Sequence, residues 1–527
     1  MKKAILLTLI GAIFSSIICY SQPVITWQKT YGGSGHEYAY KSIQTSDGGY
    51  AFVGSSESND GDVSNHHGTT TNNDLWVCKI DASGVTEWSK LFGGTEDDEG
   101  HDLIQTSDGG FMITGLTNSN DGDVTGHHGT YNSDIWVLKL TSSGTIVWNK
   151  CFGGTSDDEA NAIAMNQNGD FYIFGTTYSS NGDISGLHGT DSDMWAIKIN
   201  STGTLLGQEC IGGTDYEEGI NMSLTSDGGC IICGRSSSTD GDAIGAHGGS
   251  DMLIAKLSSS MVVEWSKCYG GTQTEECNSI VQLTDGSYVA LGYTSTQNNG
   301  DVTGHHGSQG SDDFWLLKLT TTGTITWAKC FGGSGDDQAN GLTKSSDGGF
   351  VMSGLTNSMD GDVTGFHIGD FSPDVWVAKV SSEGIIQWQR SCGGSTQDES
   401  FNITSLNDGS FMVTAFTYSN DADVSGNHGS ADGWIFKING PTSVNENINN
   451  LSYSIYPNPY NGTFTFFSNS KNSTLEIVDL LGKIVYSEKL LQSKSEIQIP
   501  NNRKGIYFCR IINEKNETTK VMKIILE

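Results

Sequence analysis

An aspartate and a histidine recur together seven times along the chain, five residues apart, in a motif close to Asp-Gly-Asp-Val-x-Gly-x-His-Gly. Carboxylate oxygens in a glycine-bent loop suit Ca²⁺, which exported modules often bind at millimolar concentration. The candidate calcium ligands are therefore Asp62, Asp123, Asp183, Asp242, Asp301, Asp362 and Asp423. The accompanying histidines are His67, His128, His188, His247, His306, His367 and His428.

The same histidines support a second interpretation, a structural cap. Each is followed by an Asp that starts an Asp-x-Trp or Asp-x-Leu triplet: Asp74, Asp134, Asp193, Asp251, Asp313, Asp374 and Asp432. A histidine that donates to this carboxylate would pin the loop. Because a catalytic site is single and this pattern occurs seven times, we predict the cap network and no catalytic residue, with calcium as the alternative and no other cofactor. Zinc is disfavoured because the loops lack a second ligand at matching spacing.

These loops belong to a repeat of about sixty residues. Gly-Gly doublets begin at Gly32, Gly93, Gly153, Gly212, Gly270, Gly332 and Gly393, and four residues after each doublet comes a carboxylate, in Glu37, Asp98, Asp158, Glu217, Glu275, Asp337 and Asp398. Each unit contains four short β-branched and aromatic runs separated by Asn, Asp and Gly turns. Seven such units predict an all-β seven-bladed β-propeller of four-stranded blades over residues 22–440. The chain begins with a fourth-strand segment, 25–31, and the last unit ends after its third strand, so we expect the first strand to complete the last blade.

Strand parity divides the loops between two faces. Antiparallel strands reverse direction at every turn, so the turns that contain the doublets and the loops that contain the Asp/His motif share one face. The opposite face has only short turns such as Ser-Asp-Gly-Gly. We therefore expect the repeated polar chemistry on one acidic, loop-rich face.

Composition and charge indicate export. Charged residues make up only 17% of the chain and the net charge is −33, which would repel nucleic acid and anionic lipid. Residues 1–21 have the pattern of a signal peptide, and no later stretch is apolar enough for a transmembrane helix. The charge changes sign near residue 445, since residues 450–527 carry a net +3. We place a linker at 441–451 and a second domain, a small β-sandwich, at 452–527.

Two resemblances follow. Segments such as FGGTSDDEANAIAMNQNGDFYIFGTT resemble the β-propeller repeat common in exported bacterial proteins. The tail resembles the type A C-terminal sorting domain of type IX secretion in Bacteroidetes through SIYPNPYNGTFTF, LEIVDLLGKIVY and KGIYFCRI. The matching positions are Tyr456, Pro457, Asn458, Pro459, Gly462, Gly482 and Gly505. This resemblance implies a secreted or cell-surface protein whose partner is the type IX secretion machinery.

Ten cysteines remain after signal removal. Several share a position that other units fill with Thr, Leu or Ser, which is typical of packing. Cys230 and Cys233, three apart on a strand, point to opposite faces and do not predict a redox pair. A disulfide between Cys268 and Cys277 stays open.

The sequence does not name a ligand. A sialidase is excluded because its chemistry needs an arginine cluster, whereas the repeats contain only Arg235 and Arg390. We predict a binding, scaffold or adhesion module for an extracellular glycan or protein; the alternatives are a carboxylate-based glycan hydrolase and a structural envelope component. Departures from the repeat cluster in the third and fourth units at Gly207, Glu209, Arg235 and Leu253, which indicates either repeat drift or a ligand-contact patch.

Overall fold

A computed structural model describes residues 23–440, except 70, 309 and 368–371, together with 453–456, 464–468, 473–479, 483–490, 494–498, 504–512 and 518–526. All regular structure in these ranges is β-strand, so the all-β prediction is confirmed. The chain divides into two compact units, one within Gln22–Pro441 and one within Thr442–Glu527. The proposed signal peptide at 1–21 and the linker at 441–451 lie outside the described residues.

The first unit consists of seven four-stranded antiparallel sheets, numbered here in chain order. Sheets 1 and 2 contain β2(Glu37–Gln44), β3(Tyr50–Ser56), β4(Asp74–Ile80), β5(Thr86–Phe92), and β6(Asp98–Gln105), β7(Phe111–Thr117), β8(Asp134–Leu140), β9(Ile146–Phe152). Sheets 3 and 4 contain β10(Asp158–Met165), β11(Phe171–Thr177), β12(Asp193–Ile199), β13(Leu205–Ile211), and β14(Glu217–Leu224), β15(Cys230–Ser236), β16(Asp251–Leu257), β17(Val263–Tyr269). Sheets 5 and 6 contain β18(Glu275–Gln282), β19(Tyr288–Thr294), β20(Asp313–Leu319), β21(Ile325–Phe331), and β22(Asp337–Lys344), β23(Phe350–Thr356), β24(Asp374–Val380), β25(Ile386–Cys392).

Sheet 7 joins the two ends of this unit. It contains β26(Asp398–Ser405), β27(Phe411–Thr417), β28(Asp432–Asn439) and the first strand of the chain, β1(Val24–Tyr31). β1 pairs antiparallel with β28 in a register that sets Thr30 opposite Trp434. The sequence expectation that the first strand completes the last sheet is therefore met by the observed pairing.

The burial of each strand follows from its place in the sheet. The second and third strands are almost completely buried because a strand lies on both sides and a neighbouring sheet on each face, and this suits their β-branched and aromatic residues. Fourth strands are half-exposed edges. The first strand of each sheet, called the inner strand below, contacts the inner strand of the next sheet, and β26 contacts β2, so the seven inner strands form a closed order.

The hydrophobic core runs between sheets. One cluster joins Val53 and Leu75 of sheet 1 to Phe111 and Trp136 of sheet 2. Another joins Met412 and Ile435 of sheet 7 to Phe52 and Trp76 of sheet 1, together with Tyr31 of β1. Each sheet therefore buries its apolar faces against its neighbours.

The C-terminal unit contains two further sheets. One has the order β29-β30-β33 and the other β32-β31-β34-β35. Their strands are β29(Tyr453–Tyr456), β30(Phe464–Ser468), β31(Ser473–Val478), β32(Ile484–Leu490), β33(Lys494–Ile497), β34(Gly505–Ile512) and β35(Thr518–Leu526). Phe464 and Ile497 of the first sheet share a buried core with Leu475 and Ile511 of the second.

All ten cysteines in the described part of the chain are free and buried, Cys268 and Cys277 included. Cys230 and Cys233 lie in different core clusters on opposite faces of sheet 4, as their spacing predicted.

Candidate functional site

The histidine of each Asp/His motif contacts the buried aspartate that begins the third strand. In sheet 2, the His128 backbone N–H donates to Asp134 Oδ2 at 2.8 Å, and Nδ1 lies 2.8 Å from the same oxygen. Across all seven sheets the backbone distances are 2.6–3.0 Å and the Nδ1 distances 2.6–3.3 Å. The pairs are His67–Asp74, His128–Asp134, His188–Asp193, His247–Asp251, His306–Asp313, His367–Asp374 and His428–Asp432. These bonds tie each long loop to the start of its third strand.

Burial and hydrogen bonding act in opposite directions on these aspartates. Burial raises the pKa of Asp193 and of Asp432 to about 6, while the bonds from His188 and His428 lower it in part. The bond to Asp374 raises the pKa of His367, because a nearby carboxylate favours the charged imidazolium. The hydrogen bond therefore favours the charged imidazolium of His367, whereas burial disfavours the charged form of Asp193 and Asp432 overall.

The carboxylate after each doublet forms a second buried network. Asp98 accepts from the Gly94 N–H at 2.7 Å and from the hydroxyls of Thr117 and Ser119. The equivalent glycine bond is 2.7–2.8 Å long in all seven sheets. A Cβ on Gly93 would lie 2.4 Å from Asp98 Oδ2 and 2.8 Å from Asp74 Oδ1. The first doublet residue must therefore be glycine, because two carboxylates approach it.

The seven candidate calcium ligands lie against the doublets. Their backbone N–H groups donate to the carbonyl of the first doublet glycine at 2.8–3.0 Å. In five sheets the side chain also accepts from that glycine's N–H at 3.3–3.4 Å, as Asp62 does from Gly32. Asp423 instead accepts from Arg390 at 2.6 Å. Within the described residues no three His, Cys, Asp or Glu side chains are grouped to hold a metal ion, and calcium binding stays a prediction.

The residue before each candidate calcium ligand makes a further close contact between the motif loop and the doublet turn. Gly61 has a φ of +65°, and a Cβ there would lie 2.3 Å from the Gly32 carbonyl oxygen. Glycine allows this approach without strain, and six of the seven sheets have it; sheet 7 instead has Ala422, with a φ of +53°. The preceding Asp60 accepts from the Ser34 N–H at 2.7 Å, and equivalent bonds of 2.7–3.1 Å occur in every sheet.

Some of the histidines also reach the next sheet. His247 Nε2 lies 3.7 Å from Asp301 Oδ2, and His306 Nε2 lies 4.0 Å from Asp362 Oδ2. The motif histidine of one sheet thus bridges its own aspartate and the motif aspartate of the next. Sequence spacing within one unit gave no sign of this link.

We call the surface formed by the doublet turns and the motif loops the loop face. It carries a polar cleft of about 380 Å³ in sheet 2, lined by Glu96, Asp97, Asn118, Asp121 and Tyr131 among others. The Tyr131 side chain is 88% exposed. An exposed aromatic ring beside carboxylate and amide groups is suited to ligand contact.

A central cavity of about 350 Å³ lies among the inner strands. Each inner strand has a β-bulge at the same position, and the extra residue lines the cavity: Tyr40, His101, Asn161, Ile220, Asn278, Asn340 and Phe401. Sequence reasoning missed these residues. Their signal was a polar or aromatic residue three positions after the doublet carboxylate in six of the seven units, with Ile220 as the exception.

Several bulge side chains bind the backbone of the following inner strand. Asn161 donates to the Gly219 carbonyl, and Asn340 to that of Ser400, both at 2.9 Å. Asn278 makes the same bond to Ala339 at 2.9 Å. These bonds hold neighbouring sheets together around the cavity.

Five glutamates lie near the loop-face ends of the inner strands, and Glu218 and Glu276 among them line the cavity. They follow the doublet carboxylate directly and are Glu99, Glu159, Glu218, Glu276 and Glu399. Burial raises the pKa of Glu159, Glu276 and Glu399. Burial acts on Glu99 in the same direction, but the hydrogen bond and charge of His101 outweigh it, so the pKa of Glu99 is lowered.

Arg235 lies within this glutamate ring. Its guanidinium is 2.6 Å from Glu218 Oε2 and 3.3 Å from Glu276 Oε2. It also stacks 5.2 Å from the centre of the Tyr216 ring. One of the sequence departures in the third and fourth units therefore contacts two residues that line the cavity.

A second departure from the repeat, Gly207 in place of a Trp, is explained by packing. In sheet 1 a Cβ on Gly84 would lie 2.1 Å from the Trp27 ring, so this Trp requires a glycine in the facing turn. Between sheets 3 and 4 both partners change, since Gly207 replaces the Trp and Met261 the turn glycine. The Met261 side chain is buried beside Gly207 and occupies the space that the indole leaves.

Comparison with known proteins identifies the C-terminal region. Residues 454–527 match the secretion system C-terminal sorting domain. The protein is therefore secreted or displayed at the cell surface by type IX secretion, as the tail motifs predicted. Of the motif residues, Tyr456 ends β29 and Gly505 begins β34, whereas Pro457, Asn458, Pro459, Gly462 and Gly482 lie outside the described residues.

The repeats have more distant similarities. The regulatory protein FlaEY of Caulobacter vibrioides is 24% identical over 374 residues, which is 61% of this chain but only 36% of that protein. The WD40 domain of Neurospora crassa Pan2 has a TM-score of 0.41 at 8% identity, covering 77% of this chain and 90% of its own. PorZ, a surface component of the type IX secretion system of Porphyromonas gingivalis, has a TM-score of 0.28 at 10% identity, covering 87% and 65%.

Among the described residues, no helix has the length and apolar character needed to cross a membrane.

Proposed function

We propose that the protein is a non-catalytic binding or adhesion module presented outside the cell. Its seven sheets are the blades of a closed seven-bladed β-propeller, and its two C-terminal sheets are a β-sandwich that serves the secretion machinery. The ligand is an extracellular glycan or protein that meets the loop face.

One observation carries this proposal: the long loops of the loop face are all held by the same bonds. Each loop is tied to its third strand through His–Asp contacts and to a doublet turn through Asp–Gly contacts. A surface whose loops are already ordered loses little conformational entropy when a ligand binds. Seven long, polar loops held rigidly on one face are therefore suited to recognition.

A catalytic role is less well supported. The seven units differ in length only between 58 and 62 residues, whereas an enzyme concentrates unequal loops at one site. The repeated histidines and aspartates are engaged in bonds that hold the loops. We therefore propose no catalytic residue and assign the seven histidines to a structural cap.

The test is ligand capture by the mature full-length protein on arrays of surface glycans and matrix proteins. A variant with Glu96→Gln and Tyr131→Ala changes the exposed cleft of the loop face. The matched control, Glu383→Gln with Ile385→Ala, makes similar changes at exposed residues of the opposite face. We expect the first variant to lose most of the captured signal and the control to retain it. Equal signals from both would contradict recognition at this cleft.

A further inference from the structure

The central cavity has two chemically different walls. One wall is aromatic and comes from sheets 7 and 1. Tyr40 and Phe401 line the cavity with ring centroids 4.9 Å apart, and the neighbouring rings of Tyr38 and Phe416 lie 5.2 Å apart. Tyr418 continues this wall toward the loop face, 6.0 Å from Phe416. Sheet 1 is also the sheet in which Tyr38 replaces the ring glutamate.

The remaining wall is acidic and only partly neutralised. Glu218, Glu276 and Asp102 line the cavity, and Glu99, Glu159 and Glu399 hold the same strand position as the two glutamates in their own sheets. Two permanent cations, Arg235 and Lys41, lie beside these groups, with His101 as a titratable third. Arg235 forms ion pairs with Glu218 and Glu276. Glu159 has no hydrogen bond or ion pair among the described residues. Burial raises its pKa, the charge of His101 lowers it in part, and the charges of Glu218 and Glu99 raise it again.

A buried acceptor adds an independent observation. Asn278 lines the cavity and is only 9% exposed. Its amide nitrogen donates to Ala339 and Asn340, but its side-chain oxygen has no hydrogen-bond partner. A buried polar atom without a partner is rare and needs an explanation such as a ligand. The unused group here is an acceptor, like the carboxylates around it.

The Arg235 side chain is an example of a cation that these glutamates and aromatic rings hold. Its guanidinium is held by two glutamates and an aromatic ring at the same time. The equivalent positions of the other sheets hold no cation: Ser55, Leu116, Thr176, Tyr293, Leu355 and Phe416. Sheets 7, 1, 2 and 3 therefore combine glutamates with aromatic rings but lack the internal arginine.

We propose that the cavity binds a guanidinium or alkylammonium group on an apolar stem, such as an arginine or lysine side chain of an extracellular peptide or a free polyamine. Glu159, Glu99 and the Asn278 oxygen accept its N–H groups, and Tyr38, Tyr40 and Phe401 contact the stem and the face of the cation. This names a ligand class for the proposed binding module and rests on that function.

A neutral sugar matches this lining less well. Sugar hydroxyls need both donors and acceptors from their site. Both amide N–H groups of Asn278, and one each of Asn161 and Asn340, are already used in bonds to residues of the next inner strand. What the cavity offers in excess is acceptors, and a guanidinium or ammonium group has only donors.

The test is calorimetric titration of the mature full-length protein with N-acetyl-arginine amide. The neutral citrulline analogue, which keeps the shape but loses the charge, is the matched probe. Spermidine and the tripeptide Gly-Arg-Gly distinguish a free polyamine from a peptide side chain as the source of the cation. We expect arginine amide to bind at least tenfold more tightly than the citrulline analogue and to weaken as salt rises.

Two variants of opposite effect locate the site. Glu159→Gln removes a half-buried carboxylate that has no hydrogen bond or ion pair among the described residues, so the fold is retained, and affinity for arginine amide should fall about tenfold. Arg235→Met releases Glu218 and Glu276 and should raise that affinity. Glu383→Gln, the same change at an exposed residue of the opposite face, should leave it unchanged.

Equal binding of the arginine and citrulline probes would overturn the proposal, as would equal effects of Glu159→Gln and Glu383→Gln. Suppose that array capture depends on Glu96 and Tyr131 but is unaffected by Glu159→Gln. The protein would then still be a binding module, but the cavity would be excluded as the cation site of that module. If the protein captures nothing on the arrays but still binds arginine amide, the cavity is a cation site and the proposed recognition at the loop face is wrong.

Discussion

At the residue scale, the histidine of each loop is the point where a cap and a metal site make different predictions. His128→Ala removes the Nδ1 bond to Asp134, which is fully buried and has no second partner for its Oδ1. The backbone N–H of residue 128 still donates to Oδ2 in this variant, so the loss is that of one hydrogen bond to a buried carboxylate. Such a bond contributes about 1–3 kcal/mol, and we expect the free energy of unfolding in urea to fall by that amount. His128→Asn, which keeps a donor at the δ position, should recover part of the loss.

Chelation tests the competing calcium ligands at Asp62, Asp123 and their equivalents. If the loops are held by the histidines and the doublet bonds, EGTA should leave the Tm of the wild type nearly unchanged. A large fall in Tm that added Ca²⁺ reverses would instead assign the seven aspartates as calcium ligands, because a ligand that binds only the folded state stabilises it.

The buried carboxylates next to the doublets make stability depend on pH. Burial raises the pKa of Asp98 from 3.8 to about 7, and those of Asp158, Asp337 and Asp398 to about 6. The folded state therefore binds protons more tightly than the unfolded state. This contribution is present in full below about pH 4 and is lost as the pH rises through 6 to 7.

We accordingly expect the free energy of unfolding to be larger at pH 5 than at pH 8, with each unit of pKa difference contributing roughly 1.4 kcal/mol. Urea unfolding at the two pH values measures it. In the Asp98→Asn variant, which cannot titrate at this position, the difference should be smaller. If the free energy of unfolding changes equally between pH 5 and pH 8 in the wild type and in the variant, Asp98 does not contribute to the pH dependence.

At the element scale, the first strand closes the unit. β1 pairs with β28 along its length, Tyr31 is completely buried, and Gln28 accepts from the Trp434 indole at 3.0 Å. Deleting residues 22–31 behind the signal sequence should expose the edge of β28 and empty part of the core, at a cost of several kcal/mol. Thermal unfolding of the purified protein measures the loss.

The matched control for that deletion is Gln28→Ala, which removes two side-chain hydrogen bonds, to Trp434 and Ser425, and leaves the strand in place. It should lower Tm far less than the deletion. A truncated protein with wild-type Tm would mean that β1 is not needed for closure.

At the scale of the whole molecule, two units have separate tasks. The repeats make up the unit within Gln22–Pro441, and the sorting domain matches 454–527. Deleting residues 452–527 should leave the repeats in the periplasm, because the address for the outer-membrane step is lost. Protease accessibility on intact cells and fractionation measure where the protein is.

The reciprocal experiment is the control. Residues 452–527 joined to a periplasmic reporter should bring the reporter to the cell surface or the medium. Normal surface levels of the truncated protein would contradict the assignment of the tail as the export signal.

The sequence alone determined the features that depend on local spacing. Doublets, Trp positions and turn residues recur at about sixty residues, and this periodicity predicted the four-stranded units and the role of β1. The Asp/His spacing also predicted which aspartate each histidine would meet, because both lie in one short loop. The sorting motifs identified the tail for the same reason.

Only the tertiary structure decided what happens between units. The ring of bulge residues, the Arg235 contacts with Glu218 and Glu276, and the reach of His247 to Asp301 all join residues from different sheets. Sequence comparison of the units marked Arg235 as unusual but could not show what it faces. The contacts of the cavity depend on how seven inner strands converge, and strand periodicity within one unit holds no information about the distance between neighbouring sheets.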